Sequence, residues 1–225
     1  MIVANHSSHA DTAALIAALP ARRQPTVAAA ADYWFRGGVR PAICRALCAA
    51  FPVRRSGGGS ADLAAAARLL AAGQDVIVYP EGTRSRDGEI GDFHRGAARL
   101  AAAAGAPLVP AGISGTRTLL PPGGPGRSRR TAVTVRFGTP LFVSPPDSGS
   151  MIVNTFRCYS PQTVHDHERG PAVGGATAEA RAQVVALVAG TEPRAVTAGR
   201  RSLVISAVPA AANSRCCWIR RLKRL

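Results

Sequence analysis

Apolar positions along this chain fall into short continuous runs and helical stripes that follow one another, the pattern of an α/β domain. Met1-Ile2-Val3-Ala4 reads as the end of a buried strand. A polar stretch follows, and Asp11 then stands at a helix start ahead of Thr12-Ala13-Ala14-Leu15-Ile16. Ser60 to Ala72 reads as a helix with Gly73 as its C-terminal cap. Asp75–Tyr79 is too apolar for a half-exposed strand and suits the middle of a sheet. Ala106–Ala111 reads as an apolar strand ending in proline. Thr131–Phe137 sets Val133, Val135 and Phe137 against Thr134 and Arg136, the alternation of a half-buried strand. Thr177–Ala189 reads as a closing helix, with Val184, Leu187 and Val188 toward the sheet. The pattern predicts one α/β domain with a mostly parallel or mixed central sheet flanked by helices.

Its core is expected over residues 1–143, with an irregular linker or insertion over 144–175 and the closing helix within 176–190. A basic tail without order is expected over 191–225. In that tail Cys217-Trp218-Ile219, followed by Arg220-Arg221-Leu222-Lys223-Arg224-Leu225, also fits a short basic amphipathic membrane contact. The Pro121–Gly126 stretch marks an exposed loop.

At 225 residues the chain is long enough for a sizeable core. Hydrophobic residues make up 47% of it and aromatics only 5%, so that core is built from Ala, Val and Leu. The net charge of +15 is carried almost wholly by arginine, Lys223 being the one lysine. Such charge suits anionic lipid, and it also suits nucleic acid. Against nucleic acid, there is no zinc-finger spacing, no aromatic RNA-binding motif and no clear helix-turn-helix. Five cysteines, with Cys216 and Cys217 adjacent, give neither a paired framework nor zinc spacing and suit a reducing cytoplasm. No apolar run reaches the ~18–20 residues that cross a bilayer, so any membrane association is expected to be peripheral.

Two segments carry the chemistry. Asn5-His6-Ser7-Ser8-His9-Ala10-Asp11 sets an imidazole and a carboxylate five residues apart. His is the side chain whose ordinary pKa lies nearest neutrality, and a carboxylate on its far nitrogen fixes the tautomer and stabilises the imidazolium. On a continuous helix the two would stand roughly 140° apart, so they meet only if the chain turns between them. The plainer reading makes Asp11 an N-cap and His6 a surface histidine. His6, His9 and Asp11 could also be three metal ligands, but no second ligand cluster supports this. No metal is expected, and His9 is read as a structural loop residue. The second segment, Tyr79-Pro80-Glu81-Gly82-Thr83-Arg84-Ser85, closes a strand. Gly82 permits a tight turn, and Arg84 offers a planar fork for a phosphate. Its plainer reading is a surface turn with an exposed Glu–Arg pair.

In this order and at this separation the two segments resemble the PlsC-type glycerolipid acyltransferases, which include lysophosphatidate acyltransferase. Two further blocks are similar to that family's: Phe51-Pro52-Val53-Arg54-Arg55-Ser56-Gly57-Gly58, and Ala106-Pro107-Leu108-Val109-Pro110-Ala111. Arg54 departs from the family, standing where many members have an acidic residue. The resemblance covers roughly residues 1–143. It implies direct transfer of a fatty acyl group from acyl-CoA or acyl carrier protein to the hydroxyl of a lysophospholipid, lysophosphatidate first, with no cofactor beyond that co-substrate. His6 would deprotonate the hydroxyl and Asp11 would orient His6. Arg55, Glu81, Gly82, Thr83 and Arg84 would hold the acceptor's phosphate end, and Val109 and Pro110 would lie in the acyl-donor region. A cytoplasmic protein in peripheral contact with the anionic inner face of the cell membrane is implied. The family usually has a full strand before its His block, so a start upstream of Met1 is expected. The rival reading is a truncated, non-catalytic family member that binds anionic lipid through Arg55, Arg84 and the basic tail.

Overall fold

The structure, a computed structural model, describes residues 1–54, 59–121, 131–144, 171–190 and 203–206. Arg55, the loop residues 122–130, most of the expected linker and the Cys217–Leu225 segment lie outside the described residues. In chain order the elements are β1 (Ile2–Ala4), α1 (Ala10–Ala18), β2 (Thr26–Ala30), α2 (Ala31–Trp34), α3 (Arg40–Cys48), β3 (Phe51–Val53) and α4 (Gly59–Ala71). They continue with β4 (Val76–Val78), α5 (Gly96–Ala104), β5 (Val109–Ser114), α6 (Thr116–Leu119), β6 (Ala132–Phe137), α7 (Val173–Ala189) and β7 (Leu203–Ser206).

The strands form one mixed sheet in the order β3-β2-β4-β1-β5-β6-β7. The first five in that order run parallel, while β6 pairs antiparallel to β5 and β7 antiparallel to β6. β1 lies at the centre, with Val3 opposite Val78 on one side and Pro110 on the other. Alternate residues of each strand feed two separate cores, as the two-residue period of a strand requires. Val3 and Val76 pack with Ala66 and Ala67 of α4, Ala98 and Ala101 of α5, and Ala180 and Val184 of α7. Ile2, Ala4 and Ile77 face the other way, toward Ala14 and Leu15 of α1 and Cys44 of α3.

The closing helix starts at Val173, ahead of the position its sequence suggests, because Gly174 and Gly175 disguise its first turn. Its predicted face is the observed one: Val184 and Leu187 are buried, and Val188 packs against the core. Gly112 of β5 permits the contact. A Cβ there would stand 2.6 Å from Leu187 Cβ and 2.9 Å from that helix's backbone.

Within the expected tail, Leu203–Ser206 forms a strand that pairs with the outer edge of β6, and residues 191–202 and 207–225 lie outside the described residues. A short run of Leu, Val and Ile satisfies an edge that would otherwise expose unpaired backbone groups. β2, α2, α3, β3 and the short α6 are among the additions to the elements read from the sequence.

Candidate active site

The two chemistry-bearing segments leave the sheet at the C-terminal ends of adjacent parallel strands, β1 and β4, where open α/β sheets form clefts. Asn5 continues β1 in a different way. Its side-chain amide donates to the Ile113 carbonyl at 2.9 Å and its side-chain oxygen accepts from the Ile113 N–H at 2.8 Å. A side chain thus completes the ladder to β5 while the backbone turns away. That turn brings His6 Nδ1 to 2.9 Å from Asp11 Oδ2. The same oxygen accepts the backbone N–H groups of Ser7 at 2.7 Å and Ser8 at 2.8 Å. Asp11 is wholly buried in the first turn of α1, where the N-terminal end of the helix favours a negative charge. Ser8 Oγ accepts the Ala10 N–H and donates to the Leu120 carbonyl at 2.7 Å, which fixes the loop from its other side.

The His6 ring lies flat against Tyr79, with centroids 4.1 Å apart and planes 16° from parallel. The Tyr79 hydroxyl is 2.9 Å from Thr12 Oγ1. Burial pushes the Tyr79 phenol well above its ordinary range, and the Asp11 charge adds to this against the bond from Thr12. Tyr79 is therefore a neutral wall beside the imidazole. With Nδ1 held by Asp11, the other nitrogen, Nε2, belongs to a side chain that is still 20% exposed.

Glu81 is buried, and both of its oxygens are used. Oε1 accepts the His6 N–H at 2.7 Å and Oε2 the Gly91 N–H at 3.0 Å. Burial raises its carboxyl pKa, and the two backbone bonds pull the other way. Gly82 follows at φ +70, and a Cβ on it would reach 3.4 Å from the His94 ring. The Ser85 N–H donates to the His6 carbonyl at 2.8 Å, so the second loop holds the backbone of His6 through Glu81 and Ser85 together. Arg84 donates through Nη1 to His9 Nε2, and its guanidinium lies 5.6 Å from the centre of the Tyr33 ring. Burial lowers the His9 pKa, with the charges of Arg84 and His6 acting in the same direction. His9 thus makes a loop contact, as expected of it. A cleft of about 560 Å³ opens beside this loop and is lined by Glu81, Thr83, Arg84, Arg86 and His94, with Asp87, Glu89 and Asp92 also on its walls.

The structure brings together His6, Asp11, Glu81, Gly82, Thr83 and Arg84. It does not bring Val109 and Pro110 to them. Val109 lies beside Ile2 and Pro110 beside Val3, in the sheet and short of the His6 end. Pro110 stands opposite the segment 138–140, which holds one residue more than its partner between the Leu108–Leu141 bridge and the Ala111–Phe137 pair, and its carbonyl accepts the Gly138 N–H at 2.8 Å. Asn5, Tyr79 and His94 are site residues that the motif reading passes over. Arg181 of α7 is another, donating to the carbonyls of Ile90 and Gly91 at 2.9 Å each. Tyr79 had a local signal, its place one residue before the Pro-Glu-Gly turn. For Arg181 the sequence holds none.

A mixed α/β sheet with a half-buried His on a buried Asp at the mouth of its central strands defines a class of enzyme-like scaffolds whose site sits on loops. Within that class this chain belongs to the Acyltransferase family, whose profile matches residues 1–114. It is 39% identical over 79 residues to the chloroplastic 1-acyl-sn-glycerol-3-phosphate acyltransferase BAT2 of Brassica napus, a match spanning 35% of this chain and 23% of that protein. The chloroplastic 1-acyl-sn-glycerol-3-phosphate acyltransferase LPAT1 of Arabidopsis thaliana is also 39% identical over 79 residues, 35% of this chain and 22% of that one. The matched stretch thus spans under a quarter of either relative's length. Among solved structures, the 1-acyl-sn-glycerophosphate acyltransferase PlsC of Thermotoga maritima aligns at a TM-score of 0.47 and 28% identity, covering 63% of this chain and 54% of that chain.

Proposed function

We propose that this protein transfers a fatty acyl group from an acyl thioester to the free hydroxyl of a lysophospholipid, with lysophosphatidate as the first acceptor to test. The observation that carries this reading is the 2.9 Å contact between His6 Nδ1 and a buried Asp11, which leaves Nε2 as the proton-accepting nitrogen. His6 takes the proton of the acceptor hydroxyl as its oxygen bonds to the thioester carbonyl carbon. The carbon–sulfur bond then breaks, and the imidazolium returns the proton to the departing thiolate. No group of the protein becomes acylated. Asp11 holds the ring and stabilises its charged form between these two steps.

Thr83, Arg84 and Arg86 line the part of the cleft suited to the acceptor's phosphate, since a planar guanidinium can bond two of its oxygens at once. Glu81 works differently. A carboxylate facing a phosphate would repel it, and both Glu81 oxygens already accept backbone N–H groups. Its role is to position His6 and the 90–92 loop. Arg55 would be a second phosphate ligand. The donor thioester is acyl-CoA or acyl carrier protein. Among the described residues no helix is long and apolar enough to cross a membrane, and contact with an anionic membrane surface is proposed as peripheral.

The test is thiol release from oleoyl-CoA and from an acylated carrier protein, with and without lysophosphatidate, in the native chain and in His6→Ala. Acceptor-dependent release that falls about 10²–10⁴-fold in the variant is the expected result. Equal release from both proteins, or none from a folded native chain over a panel of lysolipids, removes the reading.

A further inference from the structure

We propose that α2, the loop after it and α3, spanning residues 31–48, form a docking surface for an anionic lipid bilayer set against the rim of the candidate active site. The chain is poor in aromatic residues, yet three of them, Tyr33, Trp34 and Phe35, are consecutive here. The next residues turn outward. Gly37 and Gly38 have φ of +97 and +71, open space surrounds both, and Val39 is 72% exposed. Tyr33 is 36% exposed. These two are half of the exposed large hydrophobic residues among the described residues, the others being Phe142 and Val185.

The rings carry cations. The Arg45 guanidinium lies 5.2 Å from the centre of the Phe35 ring, and that of Arg84 lies 5.6 Å from the centre of Tyr33. Residues 31–48 hold Arg36, Arg40 and Arg45 against the single acid Asp32, so their formal charge complements an anionic surface. Aromatic rings and arginine fit the boundary between lipid headgroups and chains, where a ring is half wetted and a guanidinium meets phosphate. A protein partner would equally cover Val39, but the excess of cations beside the exposed Tyr33 ring favours the bilayer, while Trp34 and Phe35 pack partly against the core and anchor the segment.

Position adds to chemistry. The His9 ring lies 6.3 Å from Tyr33 and 5.8 Å from Trp34, and Arg84 touches both His9 and Tyr33. The patch is therefore continuous with the loop that carries His6. A lysophospholipid leaving a bilayer at this surface would meet Arg84 first and His6 next. That last step rests on the acyl-transfer reading, while the docking itself does not.

The experiment uses the full chain with phosphatidylcholine vesicles, with and without phosphatidylglycerol, and follows co-sedimentation. Arg36→Glu combined with Val39→Glu reverses the patch at exposed positions. Arg220→Ser combined with Arg221→Ser weakens the other basic segment. The native chain should bind phosphatidylglycerol vesicles in a salt-sensitive way. The first pair should weaken binding about tenfold or more, since each basic residue near such a surface contributes roughly fivefold. The second pair should weaken it less than the first. Thiol release with a short-chain, water-soluble acceptor should remain native-like in the first pair. No vesicle binding by the native chain, undiminished binding in the first pair, or a larger loss in the second overturns the proposal. A first-pair protein that binds vesicles weakly but has also lost turnover on the soluble acceptor overturns it too, because the segment is then part of the site. If no protein turns over any acceptor, acyl transfer fails as a reading, and the vesicle data still decide the docking surface.

Discussion

The loops after β1 and β4 and the packing of α7 on β5 support the same sheet by opposite means. In the loops, two buried carboxylates organise the backbone: Asp11 gathers the N–H groups of Ser7 and Ser8, and Glu81 those of His6 and Gly91. Burying a carboxylate is costly, and backbone N–H bonds offset the cost only while the loops keep one shape. Under α7 the contact rests on the absence of atoms, with Gly112 clearing room for Leu187 and for helix backbone. The first region exchanges stability for a fixed geometry. The second supplies the close packing that a core of Ala, Val and Leu needs. The difference predicts which substitutions disturb chemistry and which disturb folding.

The largest effect should come from Asp11→Asn, and its size separates two roles of the carboxylate. The Ser7 and Ser8 N–H groups compel the Asn oxygen to stand where Oδ2 stands, and Oδ1 has no partner among the described residues. An amide NH₂ can therefore occupy the Oδ1 position while the oxygen still accepts from His6 Nδ1. Geometry and tautomer survive, and only stabilisation of the imidazolium is lost. Turnover should fall about 10²-fold, at the mild end of what a general base contributes. A loss near 10⁴-fold would mean that the tautomer had flipped.

Next in size is Gly112→Val, with a stability loss of about 2 kcal/mol, the middle of the usual range for overpacking. Its Cβ would fall inside contact distance of both Leu187 and helix backbone, and backbone cannot rotate away. Urea unfolding measures it. An unchanged midpoint would show that α7 is loosely held and the contrast between the regions wrong.

How far the sequence discloses each region follows the same division. The His6–Asp11 contact, the central strand over Val76–Val78 and the turn at Gly82 are legible because their partners lie close in the chain or share a motif. The inward face of α7 is legible from its period. The Asn5–Ile113 bridge joins residues 108 apart and becomes meaningful only once β1 is known to lie beside β5. Val109 and Pro110 are recognisable by their motif, while their place at the start of β5, beside Ile2 and Val3, follows only from the register of the sheet.

One residue joins the two regions. Arg181 of α7 reaches the carbonyls of Ile90 and Gly91, and the Gly91 N–H holds Glu81, which in turn holds His6. Arg181→Ala should lower kcat about tenfold with little change in unfolding midpoint, since its side chain is 40% exposed. Arg181→Lys should not restore it, because one ammonium cannot reproduce a fork spanning two carbonyls. Combined with Glu81→Gln, the loss should be less than the product of the two, as expected within one chain of contacts. Independent losses would cut the link and leave the regions energetically separate.

The smallest effect concerns pH. Burial holds the His9 pKa below its ordinary 6.5, and Arg84 requires an unprotonated Nε2 to donate to. As pH falls below 6.5, the unfolded chain takes up this proton before the folded one does. The contribution of His9 to stability is therefore complete above 6.5 and is lost as pH falls through the lower, folded value. Glutamine offers Arg84 an acceptor oxygen and does not titrate. The midpoint of the native chain should therefore drop relative to His9→Gln on acidification below 6.5, with no divergence above it. The deficit of Gly112→Val should stay constant across the same range, because the atoms its Cβ would meet first belong to Leu187 and Val188, which do not titrate. Parallel native and His9→Gln profiles would show that Arg84 is held by Tyr33 alone.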